Sequence, residues 1–110
     1  MEPRSPILQG TLDLMVLKTL EQLGPLHGYG IARRLEQVGQ EALVVNQGTI
    51  YLCLVRLLQK RLIAARWGTS ENNRKARFYS ITKAALAQLQ AETENWARIS
   101  GVIGRVLQLE

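Results

Sequence analysis

The sequence predicts a mainly helical domain with one small β-hairpin, in the order three helices, hairpin and one long last helix. Apolar residues recur at intervals of three and four in four segments of the chain. Two short segments of strand character flank a cluster of turn-forming residues. The length of 110 residues is that of one ordinary domain, which can close one modest core without a metal or a disulfide.

The first predicted helix runs from about Thr11 to Leu23, with Thr11 as its N-cap and a Gly-Pro pair at its end. One apolar stripe is formed by Leu12, Met15, Val16, Leu20 and Leu23. Leu14 and Leu17 lie on a different side of this helix. Because a monomer with one core does not need a second apolar face, we expect these two leucines to contact a partner subunit.

The second and third predicted helices follow the turn-like string GPLHGYG. The second covers about 29–38, a short extended piece covers 42–45, and the third runs from Asn46-Gln47-Gly48-Thr49 to about residue 61. Its buried stripe is predicted to be Ile50, Leu54, Leu57 and Leu58, and its opposite face carries Gly48, Thr49, Leu52, Val55, Arg56, Gln59 and Lys60. No acidic residue occurs between Ala42 and Thr69. This face therefore suits a polyanion, and we expect Arg56 and Lys60 to contact phosphate.

The predicted hairpin pairs the segments 62–67 and 76–81 across the tip GTSENNRK. Its second arm is basic through Arg74, Lys75 and Arg77, and from 56 to 83 there are eight basic residues against one acid, Glu71. Such polarisation favours DNA or an anionic membrane surface, although charge alone leaves a merely solvated basic face open. Three helices and a basic hairpin are the order of elements in a winged helix-turn-helix.

The last predicted helix begins near Thr82, a suitable N-cap, and continues to about Leu107. A helix of about 25 residues spans about 38 Å, which exceeds the width of the domain before it. Its apolar stripe therefore predicts a homodimer, although packing wholly against its own domain is the alternative. We divide the chain into a winged-helix DNA-binding domain, 1–82, and a dimerisation helix, 83–110. The predicted dimer residues are Leu14, Leu17, Leu86, Leu89, Trp96, Ile99, Ile103 and Leu107.

Other classes of protein lack the residues that they need. The one cysteine, Cys53, and the one histidine, His27, cannot complete a disulfide or a zinc site. A nucleophile with a base and an orienting group is missing, so neither an enzyme nor a cofactor is expected. Cys53 is interpreted as a buried small hydrophobe rather than a redox sensor. No apolar segment is long enough for a membrane span or resembles a signal core, and a cytoplasmic protein is expected.

Five segments, in this order along the chain, resemble the PadR-type transcriptional regulators, specifically the short members with one C-terminal helix. They are LQGTLDLMVLKTL, GPLHGYGIARRL, QGTIYLCLVRL, SENNRKARFYSIT and the segment 92–96. The resemblance covers nearly the whole chain. It implies a homodimeric winged-helix repressor that binds a palindromic operator in double-stranded DNA and releases it on an effector or stress signal. It also implies DNA contacts by Gln47, Thr49 and Tyr51 on the third helix and by Asn73, Arg74, Lys75 and Arg77 on the hairpin.

Three questions stay open at this point. The family usually has Tyr-Pro-Ala where this chain has Tyr51-Leu52-Cys53, and Leu52 can donate a backbone hydrogen bond that proline cannot, so the base contacts can differ. Trp96 is interpreted either as a dimer-core aromatic or, as the resemblance implies, as a wall for a small, flat hydrophobic effector. The alternative function is an adaptor that uses the same fold to bind a protein partner without reading DNA.

Overall fold

The computed structural model describes residues 9–40, 42 and 45–109. Within these residues it contains four helices and one antiparallel hairpin: α1 (Gln9–Leu23), α2 (Gly28–Gly39), α3 (Gln47–Gln59), β1 (Ile63–Thr69), β2 (Lys75–Ile81) and α4 (Lys83–Val106). The predicted order and type of the four helices and the two strands are confirmed. Part of the extended piece expected at 42–45 lies outside the described residues.

Of the two predicted N-cap residues, Thr11 and Thr82, the structure confirms one and contradicts the other. The side chain of Thr82 accepts a hydrogen bond from the backbone N–H of Ala85 at 3.3 Å, which confirms Thr82 as the N-cap of α4. Thr11, in contrast, lies inside α1, because that helix begins at Gln9. The prediction of Thr11 as an N-cap is therefore wrong.

One core lies between α1, α2, α3, the base of the hairpin and the first turns of α4. Its largest fully buried side chains are Leu12, Val16, Leu20, Ile31, Ile50, Cys53 and Leu57. Leu17 and Leu89 belong to the same cluster, with 5% and 3% of their surface exposed, and Leu14 packs against it. Because the chain itself buries Leu17 and Leu89, almost none of their surface is left for a partner. The structure thus gives these two leucines a role in the core instead of the predicted role in dimerisation.

The hairpin is tied to the helices by a third extended segment. β1 and β2 pair in a register that places Ile63 opposite Ile81 and Trp67 opposite Arg77. Leu26, in the turn between α1 and α2, exchanges two backbone hydrogen bonds with Tyr79, at 3.1 and 2.8 Å. These bonds hold β2 beside the start of α2.

The second half of α4 extends away from the core. From residue 90 to 109 every side chain is exposed apart from the positions of Gly101 and Gly104. The exposed apolar residues are Trp96, Ile99, Val102, Ile103, Val106, Leu107 and Leu109, and Leu86 is exposed one turn before Gln90. The helix thus carries a long apolar surface that no other described part of the chain covers. No helix in the described ranges combines the length and hydropathy of a membrane span.

Candidate nucleic-acid interface

Helix α3 has one face in the core and one face open to solvent. It begins with Asn46 as N-cap, whose Oδ1 accepts a hydrogen bond from the backbone N–H of Thr49 at 2.7 Å. Gln47 and Thr49 are exposed in the first turn, and Tyr51 and Leu52 are each 60% exposed. The four buried residues of α3 are Ile50, Cys53, Leu54 and Leu57. The core therefore anchors α3 through one side and leaves the predicted reading residues free on the other.

Arg56 does not lie free on that open face. Its Nη2 donates a hydrogen bond to Oδ1 of Asp13 on α1 at 2.9 Å, and the two side chains are only 28% and 16% exposed. Its Nε is buried and has no hydrogen-bond partner among the described residues. The structure thus gives Arg56 a different role from the predicted phosphate contact, because its charge is paired and it joins α3 to α1. Lys60 is exposed at the C-cap of α3, as a phosphate contact requires.

Cys53 belongs to the same polar contact. Its side chain is fully buried, and its Sγ donates a hydrogen bond to Asp13 Oδ1 at 3.0 Å. Burial raises the pKa of the Cys53 thiol far above its usual range, and the Asp13 carboxylate raises it further, whereas the charges of Arg56 and Lys60 act in the opposite direction. The residue therefore stays a neutral thiol, which confirms its interpretation as a buried small residue.

The hairpin is the wing of the winged helix, and the residues predicted to contact DNA from it are exposed at and near its tip. Asn73 has a left-handed backbone with φ of 58°, a conformation that asparagine tolerates better than most residues. The backbone N–H of Ser70 donates to the carbonyl of Arg74 at 2.8 Å and closes the turn. Asn73, Arg74, Lys75 and Arg77 are all exposed, as is Glu71.

Trp67 organises the cations of the hairpin, a role that the sequence pattern did not predict. Its ring is 61% exposed, with the Nζ of Lys75 5.1 Å and the Cζ of Arg77 6.0 Å from the ring centroid. The Cζ of Arg77 also lies 5.9 Å from the ring of Tyr79. These distances are those of cation–π interactions. The signal that identifies Trp67 is the strand register, which sequence alone left open.

An open groove of about 640 Å³ separates the hairpin from the first turns of α2 and α3. Its polar lining residues include Tyr29 and Arg33 from α2, Gln47 and Tyr51 from α3, and Ser70, Glu71, Asn72, Arg74, Lys75 and Arg77 from the hairpin. His27 is also in the wall and caps α2, since its Nδ1 accepts a hydrogen bond from the backbone N–H of Gly30 at 3.0 Å. Sequence reasoning placed His27 in a turn but missed this capping role.

The structure brings together one part of the predicted site and leaves other parts separate. Gln47 and Tyr51 line the same groove as the three cations of the hairpin, Arg74, Lys75 and Arg77. Thr49 and Lys60, also predicted to contact DNA, do not line this groove. The predicted dimer residues of α4 are not part of this groove either. In the described part of the chain, no group of three or more His, Cys, Asp or Glu side chains is placed to hold a metal ion.

Comparison with known proteins identifies a family that matches this chain in sequence and fold. Residues 16–91 match the transcriptional regulator PadR-like family. A PadR-like transcriptional regulator of Bacillus cereus is 29% identical, with a TM-score of 0.80 over 96% of this chain and 100% of that chain. A PadR family transcription regulator of Clostridium difficile is 27% identical, with a TM-score of 0.75 over 89% of this chain and 99% of that chain. The family and these two proteins are regulators and not enzymes, as the sequence predicts.

Two sequence relatives add a comparison of length. The protein named "Uncharacterized protein X" of Lysinibacillus sphaericus is 27% identical over 91% of each chain. A protein in a transposon of Streptomyces fradiae is 36% identical over 81% of this chain but only 24% of its own length. The unit described above thus corresponds to nearly all of one relative and to about a quarter of the other.

Proposed function

The chain belongs to the PadR-like family of transcriptional regulators, and from that premise we propose that it is a repressor that binds a palindromic operator in double-stranded DNA as a homodimer. Membership of the family implies regulation through DNA binding. The observation that carries the proposal for this chain is the open face of α3 beside a groove whose other wall is the cationic hairpin.

In this proposal the first two turns of α3 read base edges in the major groove. Gln47 offers an amide, Thr49 a hydroxyl and Tyr51 a phenol, and all three are exposed. Such groups match the donors, acceptors and methyl groups that base pairs present there. Leu52 is exposed beside Tyr51, where an apolar side chain is suited to a thymine methyl group.

The hairpin and the end of α3 contact phosphates and set the position of the protein on the duplex. Asn73, Arg74, Lys75 and Arg77 supply these contacts from the hairpin, and Lys60 supplies one from α3. All five side chains are exposed. Phosphate contacts contribute affinity and register but little sequence information. These five residues should therefore contribute equally to the affinity for every duplex.

The exposed apolar surface of α4 supports the homodimer. Leu86, Trp96, Ile99, Ile103 and Leu107 are between 42% and 60% exposed in one chain, and a second copy of α4 offers the matching surface. A two-fold dimer presents two α3 helices to successive major grooves, about 34–36 Å apart. An operator with inverted repeats then matches the symmetry of the protein. Because operator DNA lies in the cytoplasm, we expect the protein to act there.

The proposal includes release from DNA by a signal. Trp96 is 46% exposed on α4, so a dimer about this helix places two indole rings close to its axis. They pack on each other as core aromatics, or they form walls for a small, flat hydrophobic effector. In the second case, the effector changes the spacing of the two α3 helices and weakens operator binding.

Selection of bound duplexes from a random pool at low salt tests this function. The expected result is enrichment of a two-fold symmetric site and binding that weakens steeply as salt rises. A promoter that carries the selected site should then give less transcript in vitro when the protein is added. A protein that retains no DNA at low salt is not this repressor, and the adaptor hypothesis then takes its place.

A further inference from the structure

Arg33 lies on the wall of the groove that faces the hairpin. It is an exposed residue of α2, one turn after the start of that helix, and it lines the groove together with Arg74, Lys75 and Arg77. Neither the charge cluster of 56–83 nor the family resemblance assigns it to the interface. The fold brings it there because β2 pairs with Leu26 just before α2 begins.

The groove has a strongly cationic lining. Among the described residues, the charged lining consists of four cations, Arg33, Arg74, Lys75 and Arg77, and one acid, Glu71. Within the described residues, none of these cations forms an ion pair with a carboxylate, since the ion pairs found there are Lys18–Glu21 and Arg56–Asp13. Unpaired like charges on two facing walls repel each other, so the site is arranged for an anion that lies between them.

The backbone of α2 contributes to the same surface. Gly28 and Tyr29 begin α2 in the groove wall, and the first N–H groups of a helix have no acceptor within the helix. One such N–H, that of Gly30, is already satisfied by the His27 side chain. Those of Gly28 and Tyr29 precede it, at the end of the helix where the peptide dipoles favour negative charge.

From these three observations we infer that one strand of the DNA backbone runs through this groove and that Arg33 contacts its phosphates opposite the hairpin cations. The inference rests on the proposed DNA binding and adds where the backbone lies. Arg33 is then a positioning residue for every duplex and has no part in choosing the sequence. α2 and the hairpin grip the same strand from two sides, which holds the first turn of α3 at the major groove.

Arg33→Gln and Arg34→Gln form a matched pair that tests this. Both remove one positive charge from adjacent positions of α2, but Arg34 does not line the groove. Because each subunit of a dimer would then neutralise one phosphate fewer, Arg33→Gln should flatten the slope of log affinity against log salt by about 2. Affinity for the selected operator and for a scrambled duplex should fall alike, by about tenfold. Arg34→Gln should leave both close to wild type, and Arg33→Lys should restore much of the affinity.

Ethylation interference gives the direct readout. Ethylation of the phosphates that Arg33 contacts should weaken wild-type binding but have little further effect on Arg33→Gln. The affected phosphates should lie on the same strand as those detected in the same way with Arg74→Gln. If Arg33→Gln and Arg34→Gln have the same salt slope while the wild type binds its operator, this inference is wrong and the proposed function stands. If the wild type binds no DNA, the proposed function itself fails.

Discussion

Asp13 on α1 accepts a hydrogen bond from Arg56 on α3, with 2.9 Å between Oδ1 and Nη2. The same oxygen accepts the thiol hydrogen of Cys53 at 3.0 Å. Around this contact, the packing of α1 on α3 is apolar, through Leu12, Val16, Ile50 and Leu57 among others. A charged contact within an apolar surface restricts how α3 can slide or rotate, since a displaced Asp13 would lose both donors.

Loss of either partner of this pair should destabilise the fold. Asp13→Asn and Arg56→Gln should each lower the free energy of unfolding by about 1 to 3 kcal/mol, because the group left behind is largely shielded from water. In the double variant the coupling energy should be about 0.5 kcal/mol or more. Urea unfolding of the wild type, the two single variants and the double variant, all at one fixed protein concentration, measures this coupling energy. The exposed pair Lys18–Glu21, with an N to O distance of 3.0 Å, is the control and should couple by less. Equal coupling in the two pairs would contradict this role of Asp13.

Cys53 should make stability fall at alkaline pH. Because the pKa of its thiol is raised in the folded protein, folded Cys53 keeps its proton while the unfolded chain loses it above about pH 8.5. The unfolded state then binds fewer protons, so stability should decrease by about 1.4 kcal/mol per pH unit beyond that point. Below pH 8 this residue contributes no slope. Measurement of the free energy of unfolding of the wild type and of Cys53→Ser between pH 7 and 10 tests this prediction. If the two free energies change in parallel with pH, Cys53 does not cause the loss of stability.

Thr49 and Tyr51 should determine which sequence is bound, whereas Lys60 should not. Thr49→Ala or Tyr51→Phe should reduce the preference for the selected operator over scrambled duplex by about 1 to 3 kcal/mol for each base that the variant no longer recognises. Lys60→Ala should weaken both duplexes equally and flatten the salt slope. Fluorescence anisotropy with both duplexes measures these affinities. An unchanged ratio of affinities in both α3 variants would show that α3 is not the reading helix.

Trp67 should increase DNA affinity through its cation–π contacts with Lys75 and Arg77. Trp67→Ala should weaken binding to any duplex by about five- to thirtyfold, as expected when each of the two subunits loses cation–π stabilisation of about 0.5 to 1 kcal/mol at an exposed site. The salt slope should stay unchanged because Lys75 and Arg77 are still present. Trp67→Phe keeps an aromatic ring and should bind more tightly than the alanine variant. If alanine, phenylalanine and wild type bind alike, the arrangement of these side chains has no part in DNA binding.

Trp96 should contribute to the dimer through α4. Trp96→Ala should weaken association by about 3 to 5 kcal/mol if the indole is buried as in a protein core. Sedimentation equilibrium measures the dissociation constant, and the same experiment on Trp67→Ala is the control, since that tryptophan is also exposed but lies on the hairpin. A wild-type protein that is monomeric at micromolar concentration would exclude the proposed homodimer.

The helices, the hairpin and their order follow from local patterns in the chain. Apolar spacing, the Gly-Pro stop after α1, the cap at Thr82 and the turn residues of the hairpin act over a few neighbouring positions, so the sequence was enough to predict them. Most of the two faces of α3 follows for the same reason, but Cys53 is buried in place of the predicted Leu58, and Arg56 is half-buried on the face predicted to be open. The burial of Leu17 and Leu89 in the core, in contrast, was not predicted. It results from the packing of the first turns of α4 against α1, before α4 leaves the domain.

The contacts that distinguish this site join residues far apart in the chain. Asp13 and Arg56 are 43 positions apart, and their pairing turns a predicted phosphate contact into a link between two helices. Arg33 lines the same groove as the hairpin, which the pairing of Leu26 with Tyr79 holds beside the start of α2. Trp67 meets Lys75 and Arg77 only in one strand register. Local periodicity carries no information on such distances, which depend on how the packed core sets helices and strands against one another.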